Sequence, residues 1–212
     1  MRCKTHLVRV TLLILLAASA LLCGCETSSV EFKNPLSPPQ LAKPDPKLQG
    51  LWRNKAPLSY MYIACRPDGH GQIMTFGDDQ NGDIGTTRTD YFVTQAGRHT
   101  YLNLSHQVSS MNGKVQRDRS GAYTFAEYHF TWLGALLYST PYGDLFADAV
   151  KSGRLKGRIL SKNSDGTPAD TFVTDSSGHV LGFIESLKTR DVFPVTYVYG
   201  QAGASAPVTA LP

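Results

Sequence analysis

Between Gly50 and Val173 the chain is a succession of short runs rich in β-branched and aromatic residues. Clusters of Gly, Asn and Asp cut the runs at close intervals. That punctuation excludes long helices and predicts strands. The runs cover residues 50–53, 59–66, 71–76, 87–96, 99–107, 121–132, 135–140, 154–160 and 171–173. Asp68-Gly69-His70-Gly71, Gln95-Ala96-Gly97-Arg98 and Asn112-Gly113 carry the chemistry of tight hairpin turns. Neighbouring strands joined by short turns form an antiparallel meander, which can lose its exposed edges by closing into a small barrel. Two short helices interrupt the pattern. Residues 144–152 place Leu145, Phe146, Ala149 and Val150 on one side, after a Thr140-Pro141 start and before a stop at Gly153. Residues 176–187 carry Val180, Leu181, Phe183, Ile184 and Leu187 at helical spacing, with Thr174, Asp175 or Ser176 as the cap. The expected fold is mainly β with two short helices, a β-rich α+β domain.

The start of the chain has a different character. Arg2, Lys4 and Arg9 precede an apolar run of 13 residues, 10–22, broken only by Thr11 and Ser19. A bilayer span needs roughly 20 apolar residues, so this run is a secretory leader rather than a membrane helix. It ends in Leu22-Cys23-Gly24-Cys25. These four residues resemble the lipobox of bacterial lipoproteins, with Leu22 as its leucine, Gly24 as its small residue and Cys25 as its cysteine. Cys23 departs from the usual Ser or Ala. The resemblance implies cleavage after residue 24, a diacylglycerol on the Cys25 thiol and acylation, for example with palmitate, of the new amine. A leader removed by ordinary signal peptidase is the alternative. With Glu26 rather than Asp after the cysteine, the resemblance leans toward the outer membrane.

Residues 25–47 contain Pro35, Pro38, Pro39, Pro44 and Pro46 among Ser, Lys and Asn, and read as an extended tether. The folded domain is expected over 48–199, and residues 200–212, rich in Ala, Gly, Ser and Pro, as a flexible tail.

Charge and cysteine content narrow the function. The leader holds three basic residues and no acidic one, so its removal takes the net charge from +4 to +1. A near-neutral domain lacks the electrostatic footprint for nucleic acid. Arg117 and Arg119, and Lys151, Arg154, Lys156 and Arg158, read as solvated faces, with anionic lipid headgroups as the alternative contact. Cys3 and Cys23 leave with the leader and Cys25 is the acylation site, so Cys65 alone remains and reads as a core residue.

Gly50-Leu51-Trp52 resembles the Gly-x-Trp that opens the barrel of lipocalins, in which the Trp closes one end. The resemblance implies a lipocalin-like architecture at most. Asp79, Asn81 and Asp83, with Asp90 at the twelfth position, have calcium-loop spacing, but Ile84 stands where an EF-hand needs Gly. A solvated turn is expected and no metal site is assigned.

The run 121–132 has two faces. Tyr123, Phe125, Glu127 and His129 point one way; Thr124, Ala126, Tyr128, Phe130 and Trp132 point the other. The second face has more apolar area and is the expected core. If the first face lines a barrel instead, Tyr123, Phe125, Glu127 and His129 are the candidate ligand-binding residues, two polar handles among aromatic rings. No nucleophile elbow, phosphate loop, His-Glu-x-x-His or Cys-x-x-Cys occurs, and His70, His99, His106, His129 and His179 are scattered. No catalytic residue and no cofactor is assigned. The expectation is a membrane-anchored, non-catalytic envelope lipoprotein that binds a small apolar ligand or an envelope protein. The alternative is an envelope hydrolase with a site assembled from dispersed residues.

Overall fold

The computed structural model describes residues 28–55, 58–78, 84–111, 114–117 and 121–202. The described residues are mainly β, with three α-helices and a closed antiparallel barrel of eight strands. The barrel strands are β2 (Gly50–Lys55), β3 (Leu58–Cys65), β4 (His70–Asp78), β5 (Ile84–Ala96), β6 (His99–Met111), β8 (Thr124–Phe130), β9 (Leu136–Thr140) and β12 (Val195–Gln201). They are hydrogen-bonded in that order, and β12 returns to β2 through Gly200–Arg53 and Gln201–Trp52 pairs. The short β7 (Lys114–Arg117) pairs with the far half of β6. Closure pairs the strand edges that an open meander would expose.

Two of the predicted turns form as read. Gly69 (φ 80°) lies in the β3–β4 turn, and Gly97 (φ 56°) opens the two-residue β5–β6 turn, positions that favour glycine. The Asn112-Gly113 turn and the Asp79–Asp83 loop lie outside the described residues.

An insertion sits between β9 and β12. It holds α1 (Gly143–Lys151), β10 (Gly157–Lys162), β11 (Pro168–Val173), α2 (Ser177–Glu185) and α3 (Thr189–Val192). The Ser176 hydroxyl caps α2 by accepting from the His179 N–H at 3.3 Å. The four-residue α3 was not expected from sequence. β11 pairs antiparallel with β10 and parallel with an N-terminal strand, β1 (Ser29–Phe32).

β1 corrects the sequence reading of residues 25–47 as a free tether, because the described part of that stretch is docked. Val30, Phe32 and Leu36 are buried. The Leu36 N–H donates to Asn103 Oδ1 at 2.7 Å, and the Ser37 and Thr94 hydroxyls are 2.5 Å apart. Two 3-10 turns follow, and the second delivers Leu48 into the barrel. The prolines all follow β1, and two of them, Pro39 and Pro46, begin the 3-10 turns; they carried no information about the partner strand some 140 residues away.

The buried side chains form two cores. In the lumen, Trp52, Met61, Ile63, Ile73, Tyr91, Val93, Leu102, Tyr128 and Leu136 meet Leu48, with Tyr138 and Tyr199 packed against them. Every barrel strand therefore sends a side chain inward, as expected for an eight-stranded barrel filled by its own residues. Trp52 is buried and donates its indole N–H to the Leu48 carbonyl at 2.8 Å. Gly71 makes room for this packing, since a Cβ there would lie 2.5 Å from the Tyr91 ring. The second core lies between the outer wall and the insertion. Tyr101 and Phe125 from the wall meet Phe32, Phe146, Phe183 and Phe193. Phe32 and Phe125 are 4.6 Å apart, and Phe32 meets Phe146 edge-on at 5.2 Å.

Candidate functional site: a cleft on the outer barrel wall

The outer wall is built by register. Side chains alternate in and out along each strand, so Ala64, Gln72 and Asp90, paired across β3, β4 and β5, share the outer face. The chain segment after β1 crosses this wall and brings Pro39 over it, with the His70 Nε2 3.3 Å from the Pro39 carbonyl. Phe92 lies beneath, 5.6 Å from the His70 ring and edge-on to Tyr123 at 6.3 Å. Together with Arg66 and Ser105 these residues enclose a cleft of about 480 Å³. Several of its polar groups have partners in or beside the cleft. Gln72 donates to Asp90 at 2.8 Å, and Arg66 lies 3.5 Å from Asp68. Beside the cleft the wall continues as the register row Leu51, Tyr62 and Met74, all exposed.

The latch that holds the crossing segment is a buried amide. Asn103 accepts from Leu36 and donates to the Thr94 hydroxyl at 2.7 Å and to the Phe92 carbonyl at 3.4 Å. A buried amide left half-paired would be costly, so this network fixes the cleft rim.

Cys65 stands at the mouth of the lumen. Tyr91 donates to its Sγ at 3.1 Å, and the thiol faces the Asp45 carbonyl at 3.5 Å. Asp45 also accepts from the Tyr128 hydroxyl at 3.0 Å. Burial pushes the Cys65 thiol up, the Tyr91 hydrogen bond works against this, and the Asp45 charge adds to the rise. A thiol held protonated in this way is a poor nucleophile.

The four candidate residues on β8 and its approach are not brought together. Tyr123 lines the cleft. Phe125 is buried in the second core. Glu127 is 8 % exposed and accepts from, or pairs with, His99 Nδ1 at 2.6 Å. His129 is exposed. The opposite face supplies Ala126, Tyr128 and Phe130 to the barrel interior, but Trp132 is a correction. β8 stops at Phe130, and Trp132 lies in the β8–β9 turn at 91 % exposure. Thr131 makes that turn, its main chain and hydroxyl both bonding to Ala135.

A second histidine pair, His179 Nδ1 with Asp175 Oδ2 at 2.7 Å, caps the insertion. Burial alone would raise the Asp175 pKa, but hydrogen bonds from the Lys156 and Ser176 N–H groups and from His179 outweigh it and lower the pKa. Arg154 and Arg158 of the basic cluster lie over the rings of Phe183 and Phe172. Among the described residues no group of three or more His, Cys, Asp or Glu could hold a metal ion, and no helix is long and apolar enough to cross a membrane.

Sequence reasoning did not find Arg66, His70, Gln72, Asp90 and Phe92 as one site. They come from two strands, β4 and β5, and the β3–β4 turn, and only register and the crossing segment unite them. No protein-family model matches this chain, and no curated protein or solved structure matches it significantly.

Proposed function

We propose that the protein is a bacterial envelope lipoprotein, acylated at Cys25 and held at the outer membrane, whose barrel is a non-catalytic module that binds a small, largely apolar ligand in the outer-wall cleft. The observation that carries the ligand reading is the contrast between the two concavities. The lumen is filled by side chains from every barrel strand, whereas the cleft has a volume within the range of small-molecule sites, with the aromatic rings of Phe92 and Tyr123 set among the polar side chains of Arg66, His70, Gln72, Asp90 and Ser105. The apolar rings supply contact area; Arg66, His70, Gln72 and Asp90 supply orientation.

The hydrolase reading would rest on His99, which a buried Glu127 orients as a general base is oriented. It also needs a hydroxyl or thiol on the other ring nitrogen, and no such hydrogen bond is present among the described residues.

The test is solvent extraction and native mass spectrometry of untagged protein isolated from its own host, beside an Ala64→Trp variant that fills the cleft from an outward-facing position. The expected result is a stoichiometric small molecule on the wild type and its loss from the variant, with both proteins melting at similar temperatures. An empty wild type, or a molecule retained by the variant, would contradict the cleft as the ligand site. A co-isolated protein in place of the molecule would favour the partner reading.

A further inference from the structure

The described chain begins at Ser28, and Ser28 is fastened to the insertion. Its hydroxyl donates to Asp144 Oδ1 at 2.6 Å in the first turn of α1. Its carbonyl lies directly over Gly143, where a Cβ would come within 2.2 Å. The next residue is fastened as well, with the Ser29 hydroxyl donating to Asp170 Oδ1 at 2.6 Å. Ser161 donates to the other oxygen of the same carboxylate, and these two hydroxyls hold the Asp170 pKa below its usual range.

Cys25 is three peptide steps from Ser28. Three steps reach at most about 11 Å. We infer that the acylated protein does not swing on a long leash but rests against the phospholipid surface through one fixed face, the end of the insertion around Ser28, with Tyr142 on the helix side and Leu160 and Lys162 on β10. The inference rests on acylation at Cys25, which sets the sulfur at the level of the lipid headgroups.

The surface at that end suits the interface. Tyr142 precedes Gly143 in the chain and is 45 % exposed; Leu160 is 49 % exposed, and Lys162 is exposed. An aromatic ring with a polar tip, an aliphatic side chain and a lysine are the residue types that settle at headgroup depth. The most exposed large apolar side chain of the described residues, Trp132, lies elsewhere. It follows β8 at the opposite end of β9 from Thr140, a strand about 17 Å long. A domain on a long tether would be free to put Trp132 and Leu133 into the membrane, but a domain fastened at Ser28 would not. The same geometry sets the height of the cleft. β1 runs from Ser29 to Phe32, whose main chain bonds to Tyr123 at the cleft wall, so the site stands about one short strand, roughly 13 Å, beyond the anchoring point.

The experiment uses the full acylated protein in vesicles of phosphatidylethanolamine and phosphatidylglycerol, with a photoreactive benzoylphenylalanine in place of Tyr142, Leu160, Tyr62 or Trp132. Flotation with the vesicles is recorded for every sample, and lipid adducts are read by mass spectrometry. The expected result is lipid labelling from 142 and 160 at several times the level from 62 and 132. In a variant with a Gly-Ser spacer of about twelve residues between Thr27 and Ser28, flotation persists and the preference for 142 and 160 falls. Equal labelling at all four positions, or dominant labelling from 132, in protein that floats would overturn the fixed face while leaving the anchor intact. Failure of the unspaced protein to float would overturn the anchor reading itself and the fixed face with it.

Discussion

Trp52 and Phe125 are both buried aromatic residues on strands of one barrel, yet they belong to different cores. Trp52 faces the lumen, among residues supplied by strands that follow one another in sequence and pair as neighbours. Phe125 faces outward and is covered by Phe32 from the N-terminal strand, Phe146 from α1 and Phe193 after α3. The lumen core follows mainly from hairpin connectivity, with β12 returning to close it, whereas the outer core needs pieces from both ends of the chain to arrive on the same wall. The difference implies two layers of stability. Closing the barrel and docking the insertion are separable in principle, and the segment that crosses the cleft belongs to both, because it leaves β1 in the outer core and ends at Leu48 in the lumen.

Truncating each core should separate them. Trp52→Ala and Phe146→Ala are each expected to cost about 3–5 kcal/mol. Trp52→Ala should lower protection across the barrel as a whole, since it also removes the hydrogen bond to Leu48. Phe146→Ala should expose α1, β10 and β11 first and leave β2 to β5 protected. Hydrogen exchange read by mass spectrometry distinguishes the two, and equal loss everywhere in both variants would mean that the cores are one cooperative unit.

The crossing segment gives a finer test. Asn103→Ala leaves the Leu36 N–H without its buried acceptor and should cost about 1–3 kcal/mol. Limited proteolysis should then cut within residues 37–45 faster than in the wild type, at temperatures where the barrel remains folded.

The insertion should also carry its own acid sensitivity. Asp175 has a lowered pKa, so its contribution to stability is fully present above the ordinary Asp value of about 3.9 and is lost as pH falls through its folded value. Asp175→Asn should flatten the acid limb of stability below about pH 4 and leave stability at pH 7 lower but pH-independent around neutrality. Chemical denaturation at a series of pH values reads this directly. The smallest expected effect is at Thr171, whose buried hydroxyl has no hydrogen-bond partner among the described residues. Thr171→Val keeps the shape and removes the unpaired group, and should be neutral or stabilising by up to about 1 kcal/mol.

The barrel strands were legible where burial alternates with exposure and a Gly-containing turn follows, as at Gly69 and Gly97. β8 was harder, because Phe125, Ala126, Glu127 and Tyr128 are all buried. A strand covered on both faces has no polar side from which to read direction. Trp132 extended the alternation two residues past the end of the strand and so read as core. β12 was missed although Val195-Thr196-Tyr197-Val198-Tyr199 has strand chemistry, because it follows three helical or irregular segments and its partners, β9 and β2, are distant in sequence. That omission also hid the closure of the barrel. The cleft was legible only at Tyr123, one of the four candidate ligand-binding residues. His70 and Asp90 carry no signal singly, and their approach to Tyr123 depends on register and on Pro39 being drawn over them by a latch at Asn103.

The proposed anchor, cellular address and resting face all depend on acylation at Cys25. The direct measurement is the mass of the N-terminal peptide of the protein isolated from its host envelope. The account predicts a peptide that begins at residue 25 and carries a diacylglycerol thioether and an acylated amine. A peptide that begins elsewhere, or one whose first cysteine is an unmodified thiol, would contradict it.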